Sequence, residues 1–210
     1  VQTPVAKERF NCRESASFPG LSKPISELHL FKNGYFPVGA FNEGWEHSDS
    51  GANNWYGRFL KVMGEKPLLR SSNDDADEVY RFLWLRTFHH PVSVRIERSR
   101  SSFRIIAVEL SGAGGYEPGR ISRTDHHEVY EEDWCEFMSR LEAASFWSQR
   151  TTVEGDGGND GSQWMLEGIR RNRYHVVDRW SPNEGAYREA CIYLLKLSGF
   201  NPAIKGNEIY

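Results

Sequence analysis

Val92, Val94 and Ile96 alternate with Ser93, Arg95 and Glu97, the period of a half-exposed strand. After a turn over 98–102 the chain returns as a second strand from Phe103 to Leu110, and a short third strand follows near Ile121. Trp134, Phe137, Met138 and Leu141 fall at i, i+3, i+4 and i+7. They form the apolar stripe of a helix over about 131–144, with Glu131, Glu132 and Asp133 at its positive end. Gln163 to Ile169 and Tyr174 to Arg179 read as a β-hairpin turning at Arg171 and Asn172. A last helix carries Tyr187, Cys191, Leu194, Leu195 and Ser198 on one face and stops at Gly199. Its start is signalled by Ser181, Pro182 and Glu184, or, because Gly185 interrupts that signal, lies near Tyr187. Val79 to Leu85 is apolar around nearly the whole circumference and follows Asn73, Asp74, Asp75 and Asp77, a capping signal. The pattern therefore predicts a well-buried helix there, ended by His89, His90 and Pro91.

Residues 1 to about 70 show little sustained period. They are rich in Gly, Pro, Asn and Ser, but Phe10, Phe18, Phe31, Tyr35, Phe36, Phe41 and Trp45 are spread through them as anchors. Asn33-Gly34 marks a tight turn, and Trp55, Phe59, Leu60 and Met63 predict a short helix over about 53–63. The expected fold class is α+β: a mainly antiparallel sheet of about five strands with three main helices. The whole chain reads as a single domain over 1–210, in which a loop-rich extension (1–70) packs on an α+β core (71–210).

Composition adjusts this picture in three ways. Twelve Phe, nine Tyr and seven Trp make the core aromatic-heavy. Lys plus Arg number 26 against 29 Asp plus Glu, a net charge of −3, so nothing draws the chain to nucleic acid or an anionic membrane. No apolar run is long enough for a transmembrane helix. The chain begins at Val1 without a charged-then-apolar signal segment, and the expectation is an exported or periplasmic protein whose leader has been removed. Cys12, Cys135 and Cys191 are too few for a disulfide scaffold; Cys12 is either free or paired with one of the others.

Candidate chemistry is sparse. Asp156, Asp160, Gly161 and Glu167 occupy positions 1, 5, 6 and 12 of a calcium-loop template, but Gly158 and Trp164 stand where oxygen ligands belong. A Gly-Asp turn leading into the hairpin is the plainer reading. Gly112, Gly114, Gly115 and Gly119 follow a strand as a nucleotide loop would, yet no helix begins after them to bind an anion. Adjacent His126 and His127 point to opposite faces of a strand, so a metal or acid/base site needs one of them together with Glu167, His175 and Asp178. Arginines gather at two hairpin tips. Arg98, Arg100 and Arg171, with the aromatics Trp164 and Trp180, are the candidate contact residues for a ligand or partner. No cofactor is implied.

Three segments, WYGRFLKVMGEKPL from Trp55, VYRFLWLRTFHHPVSV from Val79 and DGSQWMLEGIRRNRYHVVDRWSP from Asp160, resemble a family of bacterial proteins of unknown function. The shared marks are Asp160, Gly161, Trp164, Glu167, Tyr174, His175, Arg179, Trp180, Ser181 and Pro182. The resemblance implies a bacterial source and a single domain, and carries no activity. The expected function is that of a non-enzymatic binding protein, or one of the immunity or inhibitor type, recognising a protein partner or a small ligand; its oligomeric state is left open. The alternative is a hydrolytic or metal-assisted enzyme built on Glu167, His175 and Asp178.

Overall fold

A computed structural model of the chain describes residues 12, 21–41, 49–71, 77–100, 102–153, 157–200, 209 and 210. In chain order its elements are β1 (Lys23–Pro24), α1 (Asp49–Val62), α2 (Leu68–Ser71), β2 (Glu78–Arg86), β3 (Val92–Ser99), β4 (Ser102–Leu110) and β5 (Ile121–Glu128). They continue with α3 (Glu131–Ala143), β6 (Ser162–Arg170), β7 (Arg173–Trp180) and α4 (Ala186–Leu197). The strands make one sheet of order β1-β7-β6-β2-β3-β4-β5, antiparallel throughout. The α+β class and the antiparallel sheet are as expected, but the sheet has seven strands rather than about five.

The largest correction concerns residues 78–86, expected as a helix and found as the central strand β2. All nine residues are buried, because helices cover both faces of the sheet at its middle. A strand buried on both faces loses its period of two and becomes a continuous apolar run, the same signal a buried helix gives. The capping signal at Asn73, Asp74 and Asp75 lies outside the described residues. Three long helices remain, since α1 runs to fourteen residues and takes the place of the lost one. Strand β5 runs eight residues where only Ile121 signalled it, and β1 pairs with β7 inside the segment expected to be loop. Helix α4 starts at Ala186, after Gly185 at φ 99°. Ser181 is thereby released from capping, and its Oγ accepts the Ser162 N–H at 2.8 Å.

Alternation along the strands sorts the side chains onto two cores. Tyr80, Phe82, Trp84, Trp164, Leu166 and Val177 pack under α3 and α4. Val79, Leu83, Leu85, Met165, Tyr174 and Val176 pack under α1, together with Phe36 and Phe41 of the N-terminal segment. Gly168 is the one position in β6 where a side chain has no room: a Cβ would sit 2.5 Å from Tyr80 Cδ1 and 3.4 Å from Phe146 Cε1. Both rings are fully buried. Gly168→Ala is therefore expected to cost about 1–3 kcal/mol by overpacking. Urea denaturation checks this, and a variant as stable as the parent contradicts it.

Candidate functional site

The ionisable groups nearest the centre of the sheet are committed to one another. Arg81 projects from β2 under α1. Its Nε donates to Glu167 Oε1 at 2.9 Å, and its Nη1 to Glu65 Oε2 at 3.1 Å and Lys66 O at 2.7 Å. Tyr174 OH donates to Glu167 Oε2 at 2.9 Å. Glu65 also accepts from Arg95 Nε at 3.0 Å, Arg95 pairs with Glu97, and Arg104 Nε reaches Glu97 Oε1 at 2.9 Å. Alternating charges thus run outward from a closed centre where Arg81 and Glu167 are fully buried. Burial pushes the Glu167 carboxyl above the usual carboxylate range, with Arg81 pulling the other way. On the opposite face Glu78 is held by Arg98 Nη2 at 2.6 Å and Arg170 Nε at 3.1 Å.

Glu167, His175 and Asp178 do not converge. Glu167 and Asp178 face α1, whereas His175 pairs with Gly168 and faces α3. The Asp178 carboxylate accepts from Tyr56 OH at 2.6 Å and from Gln163 Nε2 at 2.7 Å. His175 packs on the Phe146 ring with 5.2 Å between centroids, and its Nε2 lies 2.9 Å from Gln149 O. His126 and His127 stand on β5, five strand spacings from β7 and so about 24 Å away. Of the calcium template, Asp156 lies outside the described residues. Beyond Asp160 the chain runs extended as β6, carrying Glu167 away along the strand to its ion pair with Arg81. Among the described residues, the metal-ligand types that gather are Cys12, Glu131 and Cys135, where the two sulfurs are joined as a disulfide. Cys12 is thus paired with Cys135, and Cys191 is a buried free thiol.

Burial lowers the His175 pKa from 6.5 to about 4. Between those values the unfolded chain takes up a proton that the folded one refuses, so this group's contribution falls as pH drops from about 6.5 toward 4, by up to about 3 kcal/mol. Glu78 and Glu167, both raised, act with the opposite sign in the same window. The readout is therefore the stability difference between the parent and His175→Gln. The parent's advantage over the variant is expected to shrink as pH falls, and parallel pH curves contradict the assignment.

The candidate contact residues divide between the two ends of the sheet. Arg98, Arg100 and Arg171 lie at the β3–β4 and β6–β7 turns, Arg100 and Arg171 both with left-handed backbone (φ 50° and 49°). Trp164 is inside the core, its indole N–H donating to Ser162 Oγ at 2.7 Å. Trp180 is at the other end, where it walls an open cleft of about 280 Å³. Trp55 of α1, Leu85 and Thr87 at the end of β2, Gly114 to Tyr116, Gly158, Asn159 and Gln163 complete the lining. None of these carries a formal charge.

Glycines build this cleft by permitting close approach. Gly114 and Gly115 donate to His89 O and Thr87 O at 3.0 and 3.1 Å, clamping the 111–120 loop onto the end of β2. A Cβ on Gly115 would lie 2.9 Å from Thr87 Cγ2, and one on Gly161 would lie 2.7 Å from Trp180 Cζ2. The glycine-rich stretch is therefore a strand connection, as its lack of a following helix indicated. The Arg58 guanidinium lies 4.0 Å from the Trp55 ring centroid and donates to Tyr116 O, tying α1 to the loop. Tyr116, which lines the cleft, is 58% exposed and its ring centroid lies 6.2 Å from that of the equally exposed Phe88. On the floor, the Gln163 amide is fixed by Asp178, which Tyr56 holds in turn. Sequence reasoning found Trp180 but missed Trp55, Thr87 and Gln163; the signal available was the pair of glycine clusters bordering aromatic positions. A second cleft of about 200 Å³ lies between the N-terminal segment and β7, with Lys23, Arg150 and Tyr174 in its lining.

Among the described residues no helix is long and apolar enough to cross a membrane. Comparison with protein-family models, with curated proteins and with solved structures finds no match to this chain.

Proposed function

We propose that this is a non-enzymatic binding protein that receives a small neutral ligand, an apolar or hydroxylated ring, in the cleft between Trp55 and Trp180. The observation that carries this reading is the contrast between the two kinds of site. The titratable side chains that chemistry would use are spent on buried partners, whereas the uncharged cleft offers indole and phenol walls beside the Asn159 and Gln163 amides, with the Thr87 hydroxyl holding the Gly161 backbone behind them. Apolar walls with a few fixed polar groups are the usual make-up of small-ligand sites, and this cleft lies near the lower end of their size range. The arginine tips support partner recognition less well, because Arg98 is already held by Glu78. An exported protein fits the Cys12–Cys135 disulfide, since such bonds persist in oxidising compartments; the bacterial source rests on the sequence resemblance alone.

Calorimetric titration with N-acetylglucosamine, adenosine and indole tests the reading. At least one neutral ring is expected to bind the parent, and Trp180→Leu or Gln163→Leu to weaken it at least tenfold. Failure of all three to bind, or binding unchanged in both variants, overturns it.

A further inference from the structure

Strand β5 closes one end of the sheet, and among the described residues its outer edge pairs with nothing. Its ladder with β4 fixes which backbone groups face out. Val129 N–H donates to Phe103 O, and the register runs Ile105 opposite His127 and Ala107 opposite Asp125. By the alternation of an antiparallel ladder, the odd-numbered residues of β5 bond inward, and Thr124, His126 and Glu128 turn their N–H and C=O groups outward. An exposed strand edge of this kind is a template for another strand.

The charges on that edge are ordered. Arg120 and Arg123 precede Thr124, and Asp125 and Glu128 follow it, so the segment is basic in its first half and acidic in its second. All but Asp125 are exposed. Laid antiparallel against itself about a two-fold axis through Thr124, the strand sets outward-facing Thr124 opposite its own copy, which the hydrogen-bond phase requires. The same register places Arg123 opposite Asp125 and Arg120 opposite Glu128, each twice by symmetry, with no like charges opposed. An axis through His126 also satisfies the phase but sets no arginine opposite an acid within the strand. A one-signed edge would repel a second copy; this one matches it.

We propose that β5 is a self-association edge, through which two copies of this chain pair antiparallel about Thr124 and continue the sheet across the dimer. The register shift between Glu109 and Leu110 separates Arg120 from the regular ladder, so the inner pair, Arg123 with Asp125, is the one to test.

Sedimentation equilibrium of the full chain over a concentration series is expected to show a reversible species of twice the 24.2 kDa chain mass, weakening as salt is raised. Arg123→Asp and Asp125→Arg each weaken it at least tenfold, and the double exchange, which restores opposite charges in the same register, recovers it. Thr124→Pro removes an outward N–H without touching the β4 ladder and gives a monomer whose thermal midpoint matches the parent's at concentrations where the parent too is monomeric. A chain that stays monomeric up to about millimolar concentration, where a pairing this weak would be inconsequential, overturns the proposal. So does a dimer indifferent to all these changes.

Discussion

Arg81→Met is expected to lower the free energy of unfolding by about 4 kcal/mol, more than any other single substitution of a side chain. The replacement keeps most of the apolar stem but leaves Glu167, fully buried, and Glu65, nearly so, without the cation that bridges them. The loss is expected to depend on pH in a direction set by Glu167. Burial already raises its pKa against the pull of Arg81, and without that pull the folded-state value rises further above the unfolded one. A carboxyl with a raised folded pKa contributes stability that is present below the unfolded pKa and lost as pH rises through the folded pKa. The variant should therefore regain stability between pH 8 and pH 5 more steeply than the parent does. Adding Glu167→Met and Tyr174→Phe removes the stranded carboxylate and the hydroxyl it leaves behind, and should recover part of the loss. Urea denaturation at the two pH values decides the matter: a loss below about 1 kcal/mol, or no added pH dependence, shows that the network does not hold the centre of the sheet.

Reduction of the Cys12–Cys135 disulfide is expected to have the next largest effect. The bond joins residues 123 apart in sequence, with Cα atoms 5.1 Å from one another, and ties the N-terminal segment to α3. Closing a loop of that length restricts the unfolded chain by about 5 kcal/mol in the chain-entropy model, and measured values are usually about 2–4 kcal/mol. The Cys12 carbonyl also accepts from Arg170 Nη2 at 3.0 Å, so reduction loosens the support of the Glu78 cluster as well. Cys191 lies buried on α4, where burial raises its thiol pKa, so it should react only after unfolding. Thiol titration is thus expected to find none accessible in the native protein, one after denaturation and three after denaturation with reductant. Three thiols without reductant would remove both the bond and the case for an oxidising compartment.

How far the sequence discloses this arrangement depends on whether the controlling contacts are local. The β6–β7 hairpin was legible because two strand-like runs flank a short polar turn whose Asn172 tolerates the left-handed backbone both turn residues adopt (φ 49° at Arg171 and 59° at Asn172). Helix α3 was legible because one of its faces is solvated, which leaves a clean stripe of Trp134, Phe137, Met138 and Leu141. Strand β2 was not, because burial on both faces erased its period. For the same reason Arg81, within that run, could not be seen as the hub of a network whose partners Glu65 and Glu167 are 16 and 86 residues away. Strand β5 hid differently: it is polar on both faces, so neither alternation nor an apolar run marked it. The cleft draws on α1, the end of β2, the 111–120 loop, the turn before β6, the start of β6 and the end of β7, six pieces with no common spacing. The glycines that bring them together were visible in the sequence, but their role depends on atoms such as Trp180 Cζ2 that only the folded chain places beside them.

The indole N–H resonances offer the sharpest decision, because the tryptophans sample both the cleft and the core. In amide-correlated NMR spectra recorded while indole or N-acetylglucosamine is added, the Trp55 and Trp180 signals should shift in a saturable way. Those of the buried Trp84, Trp134, Trp147 and Trp164 should stay in place. Shifts confined to the backbone amides around Arg98, Arg100 and Arg171, or no shift at either cleft indole, would contradict a ligand site between Trp55 and Trp180.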